Sequence, residues 1–345
     1  MDLTQFDYHL PPSAIAQEPA TPRDASRLLV LDRARARWAD RRFADLPELL
    51  RSDDCLVLNE SRVIPARLLG ALAEDGRPVE LLLLRELDPG RWEALARPAR
   101  RCRVGARIAL GGGVAHAAVV GQGEEGRRVV ALESPWPARE LLERYGLPPL
   151  PPYIERHAAP KPDDRERYQT VYARAEGSVA APTAGLHFTP ELLARVRARG
   201  AEVVPLTLHV GPGTFRPLKS ATVEGHRMEA ETVEIPAATA DAVNRARAAS
   251  RRVIAVGTTT TRALEWASDA ARRVAPRAGR ADLFIHPPHR FRVVDALITN
   301  FHLPRSTLLV LVSALAGREL VLAAYRHAIA AGYRFYSYGD AMLIE

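Results

Sequence analysis

The sequence predicts an α/β body, with a mixed sheet flanked by helices, into which a small antiparallel β-barrel is inserted. Three observations carry this. After residue 160, helical segments alternate with apolar strand-like segments, which implies a parallel or mixed sheet covered on both faces. Between residues 62 and 150, short β-type runs follow one another with turns and no helices between them, the texture of a small barrel. The stiff, proline-rich "LPPLPPYI" (147–154) then marks a boundary. The expected division is residues 1–61 as the N-terminal part of the body, 62–150 as the barrel, and 151–345 as the main α/β domain carrying the active site.

Taken in order, "SRLLVLDR" (26–33) reads as a strand, "FADLPELLR" (43–51) as a short helix and "DCLVLN" (54–59) as a second strand. The barrel strands are "RVIPARLLG", "PVELLLLREL", "RWEALARP", "ARIALGGG", "VAHAAVVG" and "RRVVALE". "WPARELLERYG" is helical. In the main domain "PELLARVRARG" leads to the strand "AEVVPLTLHV". "ATADAVNRARAAS" leads to "RRVIAVG". "TRALEWASDAARR" leads to "ADLFI" and then "RVVDALIT". "STLLVLVSALAG" (306–317) is too short to span a bilayer and reads as a buried helix.

Composition excludes several classes. With 345 residues, 47% hydrophobic and 26% charged, the chain has the profile of a soluble globular protein. The first residues show no basic start and no apolar run, so no signal peptide is expected. The two cysteines, Cys55 and Cys102, have no metal-type spacing; neither a disulfide framework nor a zinc site is expected, and a reducing cytoplasm fits. The net charge of +7 permits a polyanionic partner without demanding one. Only Lys161 and Lys219 are lysines, an arginine bias that genome composition also produces. There is no GxxxxGK[ST] loop, no G-x-G-x-x-G after a strand, no HExxH and no paired CxxC, so nucleotide hydrolysis and NAD-dependent redox chemistry have no support.

The chemistry is expected where strands end, because open α/β sheets bind ligands beyond their carboxyl edges. "GPGTFRP" (211–217), "TTTTRALE" (258–265) and "NFHLPRST" (300–307) all follow predicted strands. "GSVAAPTAGLHFTPELL" (177–193) has the same character: a backbone stripped of side chains presents one imidazole, His187, just before a Thr-Pro helix start. "FYSYGDAMLIE" (335–345) repeats it, with Asp340 in a Gly-Asp turn. A backbone without side chains lets a ligand approach its N–H groups. The Gly-Thr junction at residues 257–261 offers free N–H groups and a positive dipole end to a carboxylate or phosphate. Arg216, Arg262 and Arg305 lie inside these segments and are candidates for anion contact. His209 and His302 are two further histidines at strand exits.

Together "LNESRVIPARL", "YQTVYA", "GSVAAPTAGLHFT", "HVGPGTFRP", "GTTTTRALE", "TNFHLPRSTL" and "YSYGDAMLI" resemble the S-adenosylmethionine:tRNA ribosyltransferase-isomerases of queuosine biosynthesis, over nearly the whole chain. The resemblance implies an α/β body with an inserted barrel. It also implies transfer and isomerisation of the ribosyl part of S-adenosylmethionine onto 7-aminomethyl-7-deazaguanine at the tRNA wobble position. The products would be epoxyqueuosine-tRNA, adenine and methionine. The implied partners are that tRNA and S-adenosylmethionine, consumed as a co-substrate; no cofactor, metal or membrane is expected, and the chain is expected to be a cytoplasmic monomer. Three positions depart from the family's pattern: Glu60 where Asp or Asn is usual, Glu229 where a second histidine is common, and Pro288 where glycine is usual.

Such a reaction needs a base near the sulfonium carbon and an acid near the adenine. His187 is the first candidate, with His209 and His302 as the others. Asp340 and Glu265 are the carboxylate candidates. Thr183, Gly185, Gly211, Gly213, Thr214, Arg216, Thr258, Thr259, Thr260, Thr261, Arg262, Asn300 and Arg305 would contact substrate. Two readings compete. A methyltransferase using S-adenosylmethionine on RNA lacks its glycine-rich turn here. A non-catalytic RNA-binding protein would leave the strand exits without a purpose.

Overall fold

The computed structural model describes residues 1–345 except 124–125, 157–160, 212, 214–217, 219 and 221. The N-terminal part of the body holds β1 (Arg27–Asp32), β2 (Arg37–Arg42), α1 (Leu46–Leu49), β3 (Cys55–Asn59) and β4 (Ser61–Val63). Six strands follow: β5 (Arg67–Leu72), β6 (Pro78–Asp88), β7 (Arg91–Arg97), β8 (Arg107–Leu110), β9 (Ala115–Gln122) and β10 (Arg128–Glu133), then α2 (Ala138–Tyr145). The body resumes with α3 (Asp164–Arg167), β11 (Ala175–Ser178), α4 (Pro190–Ala198), β12 (Glu202–His209), β13 (Glu231–Ile235), α5 (Ala237–Ala248), β14 (Val253–Val256) and α6 (Thr258–Trp266). It ends with β15 (Arg277–Ala281), β16 (Ala296–Asn300), α7 (Thr307–Ala316), α8 (Arg318–Ala330) and β17 (Ala341–Ile344).

Nine strands form one mixed sheet in the order β15-β13-β12-β3-β14-β16-β17-β1-β2. Its centre, β12-β3-β14-β16, is parallel. There every residue of β3, β14 and β16 is buried, as continuous apolar runs covered on both faces require. Side-chain alternation splits the core in two. Leu29, Leu31, Val57, Leu206 and Ala255 face α5, α7 and α8, packing with Val243, Leu309 and Tyr325. Leu28, Val30, Leu56, Ile254 and Ile298 face the opposite way, onto Phe43, Leu46 and the α4 residues Leu192 and Val196. α4 starts as its Thr-Pro implies: Thr189 Oγ1 accepts from Leu192 N at 3.0 Å and Pro190 is the first helical residue. No single helix among the described residues is long and apolar enough to cross a membrane.

The other sheet is a closed barrel in the order β10-β7-β6-β5-β8-β9, every pairing antiparallel. It has its own core of Leu68, Leu81, Leu83, Trp92, Ile108, Val119 and Val130. The chain enters and leaves it side by side: Arg67 N donates to Leu147 O at 3.2 Å and Leu147 N to Arg67 O at 2.8 Å.

Several local expectations change. "RVIPARLLG" is two strands, because Pro65, with no N–H, separates β4 from β5. β4 pairs instead with β11 as a small parallel ribbon. The strand expected at "ADLFI" lies earlier, at Arg277–Ala281, where "RAGRA" is held to β13 by backbone pairing and carries little apolar pattern. α6 begins three residues before the expected helix, at Thr258. β2, β13 and β17 were not expected; β17 hides behind the Gly-Asp turn and enters the sheet between β16 and β1.

Candidate functional site

The carboxyl ends of β3, β12, β14 and β16 open on the side where the barrel sits, and two adjoining hollows form there. The larger is a cleft of about 840 Å³ between barrel and body. Leu84, Trp92, Glu93 and Arg127 line it from the barrel; Gly177, His209, Gly211, Gly213, Glu229 and Glu231 line it from the body. The smaller is a recess of about 30 Å³, room for roughly one water or one ligand oxygen. Thr183, Thr258, Thr259, Asn300, His302 and Ser337 line it. Val210 lines both, so the two hollows adjoin at that residue.

His209 is the last residue of β12, and Gly177 makes space for it. At Gly177, with φ of +132°, an added Cβ would lie 3.1 Å from His209 Cε1 and 3.2 Å from Nδ1. His209 Nδ1 is buried with no hydrogen-bond partner among the described residues. Burial lowers its pKa, against the attraction of Glu234, so the neutral ring is favoured. Beside it Glu231 is held from two sides: Oε1 accepts from Gly211 N at 3.0 Å, and Oε2 lies 2.5 Å from Arg262 Nη1. Arg262 is only 3% exposed, donates through Nε to Leu283 O at 3.0 Å, and has no partner for Nη2 among the described residues. Across the cleft Arg127 bridges the two parts of the molecule, 3.0 Å from barrel Glu93 and 2.5 Å from body Glu229.

The recess is built at the uncapped start of α6. Gly257 supplies no side-chain cap, which leaves the first N–H groups of the helix for a ligand. Thr258 and Thr259 face the recess, whereas Thr260 and Thr261 turn their hydroxyls back onto Val256 O and Gly257 O at 2.7 and 3.2 Å. His302 is buried, within 2.9 Å of Thr299 Oγ1, and burial pushes its pKa down to about 3.

His187 lies behind this recess, outside the lining of either hollow. Its Nδ1 is 2.8 Å from Ser26 Oγ and its Nε2 3.1 Å from Asn300 Nδ2, while Thr183 Oγ1 donates to Asn300 Oδ1 at 3.0 Å. The ring stacks on Phe43 at 4.9 Å. Burial, with Arg334 and Arg23 nearby, pushes its pKa down to about 3. Both nitrogens are engaged, so in this arrangement His187 orients Asn300 and Thr183.

The two expected carboxylates are occupied by backbone. Asp340 accepts from Arg27 N at 2.9 Å and Arg334 N at 2.8 Å. Glu265 accepts from Arg292 N, Val293 N and Val294 N at 2.8, 2.9 and 3.0 Å. Burial works to raise its pKa, but His289 and these N–H donors outweigh it and hold the carboxyl below its usual range. Gly185 serves packing: an added Cβ would lie 2.1 Å from Tyr172 Oη. Arg305 pairs with Asp7 at the surface. Thr214 and Arg216 lie outside the described residues. The structure thus gathers His209, Gly211, Gly213 and Arg262's partner Glu231 at the cleft, and Thr183, Thr258, Thr259, Asn300 and His302 at the recess. Glu93, Arg127, Glu176 and Glu231 were not anticipated, because the cleft forms only when two folded units meet. Among the described residues no group of three or more His, Cys, Asp or Glu is arranged to hold a metal ion.

The buried histidines make acid stability a test of these positions. Each has a folded pKa of about 3 against an unfolded value near 6.5. The unfolded chain therefore binds more protons between those values, and stability falls as pH drops below about 6.5. The slope is about 1.4 kcal/mol per pH unit for each histidine. His187→Gln is expected to remove one such contribution, seen as a shallower pH dependence of urea midpoints between pH 6 and 4. An unchanged slope would mean that His187 charges freely in the folded state.

Comparison with known proteins agrees with the architecture. The model of a family described as "Queuosine biosynthesis protein" matches residues 3–344. The S-adenosylmethionine:tRNA ribosyltransferase-isomerase of Thermus thermophilus is 56% identical over 351 residues, covering 99% of each chain. That of Moorella thermoacetica is 53% identical over 347 residues, covering 100% of each. A crystal structure of S-adenosylmethionine tRNA ribosyltransferase from Thermotoga maritima is 38% identical and superposes with a TM-score of 0.55, covering 99% of this chain and 100% of that one. A chain that matches along its whole length belongs to the S-adenosylmethionine:tRNA ribosyltransferase-isomerase family of queuosine biosynthesis proteins.

Proposed function

We propose that this protein transfers and isomerises the ribosyl part of S-adenosylmethionine onto 7-aminomethyl-7-deazaguanine at the wobble position of tRNA, forming epoxyqueuosine-tRNA and releasing adenine and methionine. The observation that best supports this reading is the paired hollow: a cleft of about 840 Å³ that shares Val210 with a small recess at the start of a helix. The cleft volume is in the range of small-molecule sites. The recess suits one carboxylate oxygen or one ribose hydroxyl of the bound co-substrate, met by Thr183, Thr258, Thr259 and the free N–H groups of α6.

His209 is the proton carrier in this reading. It starts neutral, so it takes a proton from the carbon made acidic by the sulfonium and returns one to the departing adenine, which leaves poorly as an anion. Glu231, fixed by Arg262 and Gly211 N, presents a carboxylate to the sulfonium or the substrate ammonium. Asn300 and Thr183 hold the ligand in the recess, with His187 as the positioning residue behind them. No electrons are exchanged, so the reaction calls for no redox cofactor. A tRNA substrate suits an enzyme of the cytoplasm, working as a monomer.

Product analysis tests the reading. Incubated with S-adenosylmethionine and tRNA carrying the aminomethyl-deazaguanine, the protein is expected to release adenine and methionine in equal amounts, and a chelator should not change the yield. Ribosyl transfer breaks both the sulfonium–carbon and the glycosidic bond; methyl transfer breaks neither. S-adenosylhomocysteine as the main product, with adenine absent, would overturn it.

A further inference from the structure

The loop between β15 and β16 contains a group of rings that the reaction does not use. Phe284 and His286 are half-buried there, and their ring centres are 5.2 Å apart. Phe284 also meets His226, again at 5.2 Å, and His226 lines the mouth of the cleft. The planes are turned by 74° between His226 and Phe284 and by 48° between Phe284 and His286, so the rings form a bent shelf leading out of the cleft. Three arginines flank it in the chain: Arg227 and Arg280 line the cleft and Arg290 is exposed. None of the three forms an ion pair with a carboxylate among the described residues; the partner of Arg280 is the carbonyl of Ala230, at 3.1 Å. Half-exposed aromatic rings beside unneutralised guanidinium groups are what single-stranded RNA requires, since bases stack on rings and phosphates pair with arginine. Phe284 also packs against the main core, so side-chain volume alone would account for its burial. It does not account for the two imidazoles laid against it.

We propose that His226, Phe284 and His286 form a base-stacking shelf. It receives an unpaired nucleotide next to the one held in the cleft, with Arg227, Arg280 and Arg290 engaging the adjoining phosphates. This rests on the reading of the cleft as a site for a tRNA anticodon base. The shelf sets where the RNA lies and takes no part in bond breaking.

The test uses the full chain and a synthetic anticodon stem-loop with 2-aminopurine beside the wobble position, in the absence of S-adenosylmethionine. Binding to the unaltered protein is expected to quench the fluorescence through stacking. Phe284→Leu keeps most of the packing volume and removes the π face. It should abolish the quench and weaken stem-loop binding by roughly 5- to 150-fold per stacked base. Phe284→Tyr should retain both, and S-adenosylmethionine affinity should be the same in all three proteins. Arg290→Glu should weaken binding and reduce the salt slope by about one contact. Should Phe284→Leu fold poorly, His286→Ala, at the other end of the shelf from His226, reports the same losses on a smaller scale. Binding without quench, or Phe284→Leu with unaltered affinity, overturns the shelf. So does loss of S-adenosylmethionine affinity in step with RNA affinity. If the unaltered protein quenches the probe yet releases no adenine, the shelf stands and the proposed reaction falls. If it releases adenine and Phe284→Leu binds normally, only the shelf falls.

Discussion

Replacing His209 by alanine is expected to lower turnover by roughly 10²–10⁴-fold, the usual contribution of a positioned acid or base. Binding of S-adenosylmethionine and of RNA should change little. The expectation follows from place and environment together. His209 ends a central strand, lines the cleft, and has an Nδ1 without a partner among the described residues. The other two histidine candidates differ: His302 bonds Thr299 inside the recess, and both ring nitrogens of His187 are engaged. Burial lowers the pKa of His209, so kcat/KM should fall on the acid side at a pH below the ordinary imidazole value of about 6.5 and stay flat above it. In the alanine variant that acid limb should vanish along with the rate. Near-normal turnover in a folded His209→Ala protein would transfer the role to His302.

The second large effect is on stability. Arg262→Leu is expected to destabilise the fold by about 3–5 kcal/mol, because it removes the guanidinium that faces the buried carboxylate of Glu231 at 2.5 Å. Arg262 is 3% exposed and Glu231 6% exposed, so solvent screens the pair far less than it would a surface pair. Removing both charges should cost much less: in Arg262→Leu with Glu231→Leu, most of the lost stability should return, although Gly211 N then loses its acceptor. Denaturant midpoints at constant m-value read both variants. If the double variant is as unstable as the single one, the pair is not what holds this region together.

The sheet was legible because its central strands are continuous apolar runs with helical patterns between them, and the barrel because its strands lack such patterns. What escaped were elements whose identity lies in their partners. β17 is short and follows a turn, and only pairing with β16 and β1 makes it a strand. The same holds at the site. Asp340 and Glu265 have the right chemistry in suggestive segments, yet both accept backbone N–H groups from loops distant in sequence. Gly185 and Gly177 look alike as letters, but one leaves room for the hydroxyl of Tyr172 and the other for the ring of His209. His187 ended a segment stripped of side chains, and in the fold Asn300 comes to within 3.1 Å of its Nε2. Glu93 and Arg127 had no signal in the sequence, since residues of the barrel acquire a role in the cleft only by facing the body.

A closed barrel satisfies all of its own ladder bonds, so it shares no β-ladder with the nine-stranded sheet. Its attitude over the body is set by two adjacent chain crossings at Arg67 and Leu147, by apolar contact, and by charged side chains such as Arg127 reaching Glu229. The width of the cleft thus rests in part on a cross-domain ion pair, Arg127 with Glu229, and not on β-ladder hydrogen bonds. Aperture and architecture are thereby governed by different forces, charge pairing for the one and backbone hydrogen bonds with apolar packing for the other.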